Sequence, residues 1–200
     1  MKHTLTLILI ALVALSASAA SSAEQLMARC AKAVNDAPSL TVAFTLSAGQ
    51  STSSFTMIIA RQRFTLQSPE MTVWYDGSTQ WTYIASDREL SITEPTPDEL
   101  LECNPFAIVN YYSQLYNVRT VAGSANTVEL TPKRAGTSIR RATVTINPDT
   151  SLPAAINATL ANGHTFSVKV TSATRGGNLP ASKFIYNKNT HPAVITNDLR

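Results

Sequence analysis

Residues 40–59 read LTVAFTLSAGQSTSSFTMII, and their rhythm decides the fold class. Leu40, Val42, Phe44 and Leu46 alternate with Thr41, Ala43, Thr45 and Ser47. A small polar break from Gly49 to Thr52 follows, and Phe55, Met57 and Ile59 then resume the alternation against Ser54 and Thr56. Successive side chains of a strand point to opposite faces, so a period of two describes antiparallel strands with one apolar and one polar face.

The same period extends outward from this hairpin. Downstream come Phe64 and Leu66, then Met71, Val73 and Tyr75, a turn at Asp76-Gly77, Trp81 and Tyr83, and finally Leu90 and Ile92. A second series holds Val128 and Leu130, then Val144 and Ile146, then Leu152, Ala154, Ile156, Ala158 and Leu160. Asn162-Gly163 supplies a tight hairpin turn, and Phe166, Val168 and Val170 pair back. Past the bend at Gly176-Gly177, a last short strand is expected at Phe184 to Tyr186.

Helical periodicity occurs in two places. Before the sheet, Leu26, Met27, Cys30, Ala33 and Val34 share one face, with Ser22 and Gln25 at capping-box spacing and Pro38 beyond the end. Between the two series, Pro95 to about Tyr116 reads as a helical insertion. Thr96 caps it, Pro97 takes the first helical position, Glu99 completes a capping box, and Asn104-Pro105 breaks and restarts it. Phe106, Val109 and Tyr111 or Tyr112 form its apolar side.

The expected fold is therefore mainly β (α+β), one antiparallel sheet of about ten strands with one or two helical segments. Ten strands at about 4.8 Å spacing are roughly as wide as the helices are long, and strands are some 20 Å deep. Roughly 30 helical residues give about 45 Å of axis. Two narrow helices leave part of the apolar face uncovered, so either loops fill the gap or a hollow remains.

The N-terminus indicates export. Lys2 and His3 precede an apolar run from Leu5 to Leu15, and Ala17-Ser18-Ala19 carries an Ala-x-Ala cleavage pattern. Residues 1–19 are expected to be a signal peptide, cleaved near Ala19 to Ala23, with residues 20–200 forming one soluble periplasmic domain. Cys30 follows Arg29 inside a helical pattern, which is not a lipoprotein cleavage site. In an oxidising compartment Cys30 and Cys103 are permitted to pair, and a bridge would stabilise the fold by about 4 kcal/mol. The alternative is two buried thiols.

Catalytic chemistry is not evident. The net charge of +3 is mild, and no basic run exceeds Arg140-Arg141, so nucleic-acid binding is not expected. His164 beside its turn and His191 before a proline have no metal-ligand spacing with other residues, and both are expected at the surface. No nucleophile elbow or phosphate-cradling loop occurs. Neither a metal, a cofactor nor an enzymatic activity is expected.

From Arg61 onward the order of signals becomes specific. It runs Arg61-x-Arg63-Phe64, Pro69, Asp76-Gly77-x-Thr79-x-Trp81-x-Tyr83, Glu99-Leu100 and Asn104-Pro105-Phe106. Val42-Ala43-Phe44, Val128-Glu129-Leu130-Thr131-Pro132-Lys133 and Ala181-Ser182-Lys183-Phe184 extend the match over nearly the whole mature chain. This pattern resembles the LolA family of periplasmic outer-membrane lipoprotein carriers. The resemblance implies an incomplete β-barrel (half-barrel) with a helical lid over an apolar cavity for acyl chains. It also implies a monomer whose partners are acylated lipoproteins, an inner-membrane ABC-type releasing complex and an outer-membrane acceptor lipoprotein. An arginine that hydrogen-bonds the lid is implied at Arg61 (or Arg63).

The expected cavity lining is Phe44, Leu46, Phe55, Met57, Ile59, Phe64, Leu66, Met71, Val73, Trp81 and Tyr83 from the sheet, with Phe106 and Val109 from the lid. Each of these is equally suited to a dry core. Burying one methylene is worth about 0.8 kcal/mol, so a sixteen-carbon chain costs on the order of 10 kcal/mol in water. A lipoprotein therefore needs an escort through the periplasm. The alternative functions are a lipid or lipoprotein sensor of the same fold, or an enzyme built on this scaffold.

Overall fold

A computed structural model describes residues 22–200, so the expected signal peptide lies outside the described residues. Helix α1 (Ser22–Asn35) buries Ala23, Met27, Cys30 and Val34. Its end is closed by the Asn35 side chain, which donates to the Ala31 carbonyl oxygen at 2.9 Å. Six strands follow: β1 (Ser39–Ala48), β2 (Ser51–Ala60), β3 (Arg63–Gln67), β4 (Met71–Tyr75), β5 (Gln80–Ile84) and β6 (Glu89–Thr93). The insertion comprises α2 (Pro97–Cys103), a 3-10 turn (Pro105–Ala107) and α3 (Ile108–Leu115). Then come β7 (Tyr116–Val121), β8 (Ser124–Pro132), β9 (Ile139–Ile146), β10 (Pro153–Leu160), β11 (Thr165–Gly176) and β12 (Ile195–Asp198).

All twelve strands form one open sheet in the order β12-β6-β5-β4-β3-β2-β1-β11-β10-β9-β8-β7. Strands β1 and β11 pair antiparallel and join the two meanders. The expected strands correspond to β1–β6 and β8–β11. The two additional strands, β7 and β12, are the two edges of the sheet. The strand expected at Phe184 to Tyr186 does not form. Ala181–Phe184 is a 3-10 turn, and the chain pairs only at Ile195–Asp198, parallel to β6. β12 is four residues long and exposed throughout, and β7 offers only Tyr116 and Val118 as an apolar alternation, too little in either case to mark a strand in sequence.

The curl of the sheet follows from its connectivity. β6 and β7 are ten strand positions apart in the sheet order, about 48 Å if the sheet were flat. Residues 94–115 must bridge them; residues 97–115 as continuous helix would reach about 28 Å, and the three residues before them add about 10 Å. The sheet must bend until its far strands come within reach, which lays the insertion across the concave face. Thr96 begins α2 with the expected capping box. Asn104 Oδ1 accepts from the Phe106 amide at 2.9 Å and starts the restart at Pro105.

The concave face carries the main core, in which Met57, Val109, Val128, Leu130, Val144 and Val168 are fully buried. The convex face of β3–β6 is covered too, by the C-terminal segment after β11. Thr65 on β3 donates to the Lys183 carbonyl oxygen at 2.8 Å, and Phe184 is fully buried. Trp74, Tyr83 and Leu90 make a second, smaller core with Tyr186 and Ala193. His191, expected at the surface, lies half-buried against Trp74 (ring centroids 4.8 Å) and Tyr83 (5.3 Å). Burial lowers its pKa.

Candidate functional site

Between α2 and the concave face lies a hollow of about 630 Å³. Its sheet-side wall is Phe44, Leu46 and Ala48 from β1, Phe55 from β2, Leu66 from β3 and Met71 from β4. The roof is Leu101, Cys103 and Pro105, and the hairpin from Leu160 to Phe166 closes the far side. Cross-strand register explains why these side chains meet. Phe44 faces Phe55 and Val170, and Ala48 faces Phe166, all on the concave parity.

The rim and the floor differ in character. Ala48, Gly49, Gly163, His164 and Thr165 are exposed and lie at the turn end of the strands. Phe44, Leu66, Leu101 and Pro105 are buried. The Phe44 ring stacks on Phe55 (5.5 Å, 19°) and receives the edge of Phe106 (5.2 Å, 73°), an aromatic floor between the hollow and the dry core. Such contacts add about 0.5–1.5 kcal/mol beyond area burial and fix ring positions.

The expected lining residues divide into three groups. Phe44, Leu46, Phe55, Leu66 and Met71 do border the hollow. Met57, Ile59, Phe64, Val73, Phe106 and Val109 lie in the packed core beside or beneath it. Trp81 and Tyr83 occupy the opposite face: Trp81 pairs with Trp74 and Tyr83 with Thr72, on the parity that meets the C-terminal segment. On β5 the apolar side chains are Trp81 and Tyr83, while Gln80, Thr82 and Ile84 take the concave parity, so alternation marks an apolar face without showing that it is the convex one. The unexpected part of the wall is the hairpin from Leu160 to Phe166. The period-two match of Phe166 with Val168 and Val170 was the signal for it.

Among the described residues neither candidate arginine hydrogen-bonds the lid. Arg61 is exposed in the β2–β3 turn with φ +57°. The Arg63 guanidinium lies over the Phe184 ring on the convex side, 4.9 Å from its centroid. The lid is held by other groups. Asp98 Oδ2 in the first turn of α2 accepts from the Ser138 amide (2.9 Å) and hydroxyl (2.8 Å). The Ser138 carbonyl oxygen accepts in turn from the Ala161 amide at 2.9 Å, linking lid to hairpin wall. Asp98 Oδ1 and Tyr116 Oη are buried without a protein partner. Burial, and next the charge of Asp98, push the Tyr116 phenol pKa up.

The two cysteines are not bonded to each other. Cys30 is buried beneath α1, where desolvation pushes its pKa up to about 12. The Cys103 thiol, at the roof of the hollow, donates to Gln80 Oε1 at 3.0 Å. Among the described residues no group of three or more His, Cys, Asp or Glu side chains could hold a metal, and no helix is long and apolar enough to cross a membrane.

An open sheet roofed by helices around an apolar hollow is a binding scaffold. The profile of the family described as "Outer membrane lipoprotein carrier protein LolA" matches residues 13–163, and the chain belongs to that family. No curated protein matches it in sequence. Among solved structures, an uncharacterised conserved protein from Thermus thermophilus is similar at 11% identity and TM-score 0.57, covering 89% of this chain and 99% of that one. A LolA superfamily protein from Nitrosomonas europaea is similar at 11% identity and TM-score 0.47, covering 84% and 99%. The MucA/MucB complex of Pseudomonas aeruginosa contains a chain similar at 16% identity and TM-score 0.44, with 84% of this chain aligned to 62% of that one. At these identities the likeness concerns the fold alone.

Proposed function

We propose that this protein is a soluble periplasmic carrier that takes lipoprotein acyl chains into the hollow under α2. On this reading it receives cargo from an inner-membrane ABC-type releasing complex and yields it to an outer-membrane acceptor lipoprotein. The observation that carries the reading is the apolar space itself, about 630 Å³, within the range of ligand sites and bordered by Leu46, Phe55, Leu66, Met71 and Phe166. Family membership supports it. Partial enclosure also suits the task. A rim open at the strand ends leaves part of the cargo solvated, so affinity stays intermediate and transfer to a tighter acceptor runs downhill.

The test is release. Purified mature protein is incubated with cells stripped of their outer membrane while they make lipoprotein. Newly made lipoprotein should appear in the medium as a soluble one-to-one complex with the protein. Absence of that complex, together with no binding of a hydrophobic fluorescent probe, would overturn the assignment.

A further inference from the structure

We propose that the C-terminal segment folded over the convex face is a docking surface for an anionic phospholipid bilayer, met by Ile185 and Val194 with the ammonium groups of Lys183 and Lys188 beside them. This surface is separate from the hollow and goes beyond the carrier reading.

Charge is segregated along the chain. Residues 64–118 carry eight Asp or Glu and a single Arg, whereas residues 119–190 carry nine Lys or Arg and two Asp or Glu. Between Asp149 and Asp198 there is no carboxylate side chain, and Lys169, Arg175, Lys183 and Lys188 fall in that interval. Asp198 itself is paired with Arg200 at 2.6 Å. The fold turns this linear asymmetry into a spatial one. Asp98 and Glu99 open α2, which lies across the concave face, while residues 181–194 lie on the convex side of β3–β6.

Apolar exposure is confined to the same C-terminal stretch. Among the described residues the large hydrophobic side chains left exposed are Ile185 (40%), Val194 (66%), Ile195 (50%) and Leu199 (69%). Local packing explains the first. Phe184 is fully buried, with the Arg63 guanidinium over its ring, and the Tyr186 ring meets Trp74 edge-on at 5.7 Å. Ile185 between them is turned outward, and Lys183 and Lys188 on either side are exposed. Next to Ile185 a shallow crevice is formed by Ser182, Tyr186, Asn187, Lys188 and Asn189, which brings an ammonium together with hydroxyl and amide donors. That set suits the phosphate oxygens of a lipid headgroup.

Exposed apolar side chains interleaved with cations mark a segment suited to a membrane interface. The apolar tips enter the acyl boundary, and each cation close to an anionic surface strengthens attachment on the order of fivefold. The same surface repels Asp98 and Glu99, so the molecule docks by its back and presents α2 and the hollow to the aqueous side. A protein partner fits less well, because packed interface centres are depleted in lysine, and here lysines stand directly beside Ile185.

The test is co-sedimentation of the mature protein with vesicles of phosphatidylcholine, alone or mixed with phosphatidylglycerol. Binding to the mixed vesicles should exceed binding to the neutral ones by about tenfold or more. It should vanish at about 1 M salt, where the Debye length is about 3 Å. Lys183→Gln together with Lys188→Gln should weaken binding about 25-fold, from two cations at about fivefold each. Ile185→Ser together with Val194→Ser should weaken it about tenfold. The control, Arg134→Gln with Arg140→Gln, removes the same charge from exposed positions around the β8–β9 turn and should change binding by less than about threefold. Thermal melts verify that the variants remain folded. Equal binding of the parent protein to both vesicles, an equal loss in the control, or unchanged binding in both the lysine and the apolar variants overturns the proposal. Displacement by inorganic phosphate beyond that by chloride at the same ionic strength overturns it in favour of a free-anion site. Tighter binding to poly-glutamate than to the mixed vesicles overturns it in favour of an acidic protein partner.

Discussion

Cys30 and Cys103 are the same residue type in opposed settings. Cys30 is fully buried and its thiol pKa is pushed from 9.0 up to about 12 by desolvation. Cys103 is half-buried at the roof of the hollow. The thiolate is the reactive form, so a thiol reagent should modify one cysteine in the native protein and two in denaturant. A count of zero in the unreduced native and denatured protein would mean the two sulfurs pair. Cys30 also sets a pH dependence. Its folded pKa is raised, so its contribution to stability is complete below about 9 and is lost as pH rises toward 12. Tyr75, Tyr112 and Tyr116, all raised by burial, act with the same sign at higher pH. Urea midpoints should hold from neutral pH to about 8.5 and fall above it, and Cys30→Ala should flatten the first part of that fall. An identical slope in the variant would remove Cys30 as the cause.

At the scale of elements, the lid is anchored by a carboxylate instead of the expected arginine. Asp98 Oδ2 takes two hydrogen bonds from Ser138, whose carbonyl oxygen holds the hairpin wall through Ala161. Hydrogen bonds to a charged group are worth about 1.5–3 kcal/mol each. Asp98→Ala should destabilise the protein by about 2 kcal/mol and speed labelling of Cys103, because α2 then lifts from the hairpin more often. Equal labelling rates in variant and parent would show that the clasp does not hold the lid. The Thr96–Glu99 capping box is a separate device: it terminates α2 locally and does not reach the sheet.

At the scale of the whole molecule, β11 is the element on which the sheet depends. It pairs with β1 along Ser39–Ala48 and with β10 along Ala155–Thr159, so it alone joins the two meanders. The segment after it supplies the cover over Trp74 and Tyr83. The family match ends at residue 163, before β11 begins. A fragment of residues 22–163 should therefore lack the sheet's central pairing and fail to show the cooperative melt expected of the described chain. A sharp thermal transition in that fragment, followed by near-ultraviolet circular dichroism from Trp74 and Trp81, would show that the meanders fold without β11.

The sequence by itself determined what is local. Alternation placed ten of the twelve strands, and Asn162-Gly163 and Asp76-Gly77 placed their turns. Thr96, Pro97 and Glu99 set the start of the insertion, while Asn104-Pro105 set its break. Of the hollow, Phe44, Leu46, Phe55, Leu66 and Met71 were legible because each lies on a strand whose other face is polar or lies next to one that is. Only the tertiary structure decided the remainder. Alternation shows that two faces differ but not which one turns inward: on β5 the apolar Trp81 and Tyr83 lie on the convex face, which the distant C-terminal segment covers. The extent of the hollow is a small difference between large volumes contributed by α2, β1–β4 and the hairpin from Leu160 to Phe166, elements far apart in the chain. No window of sequence contains both sides of that difference.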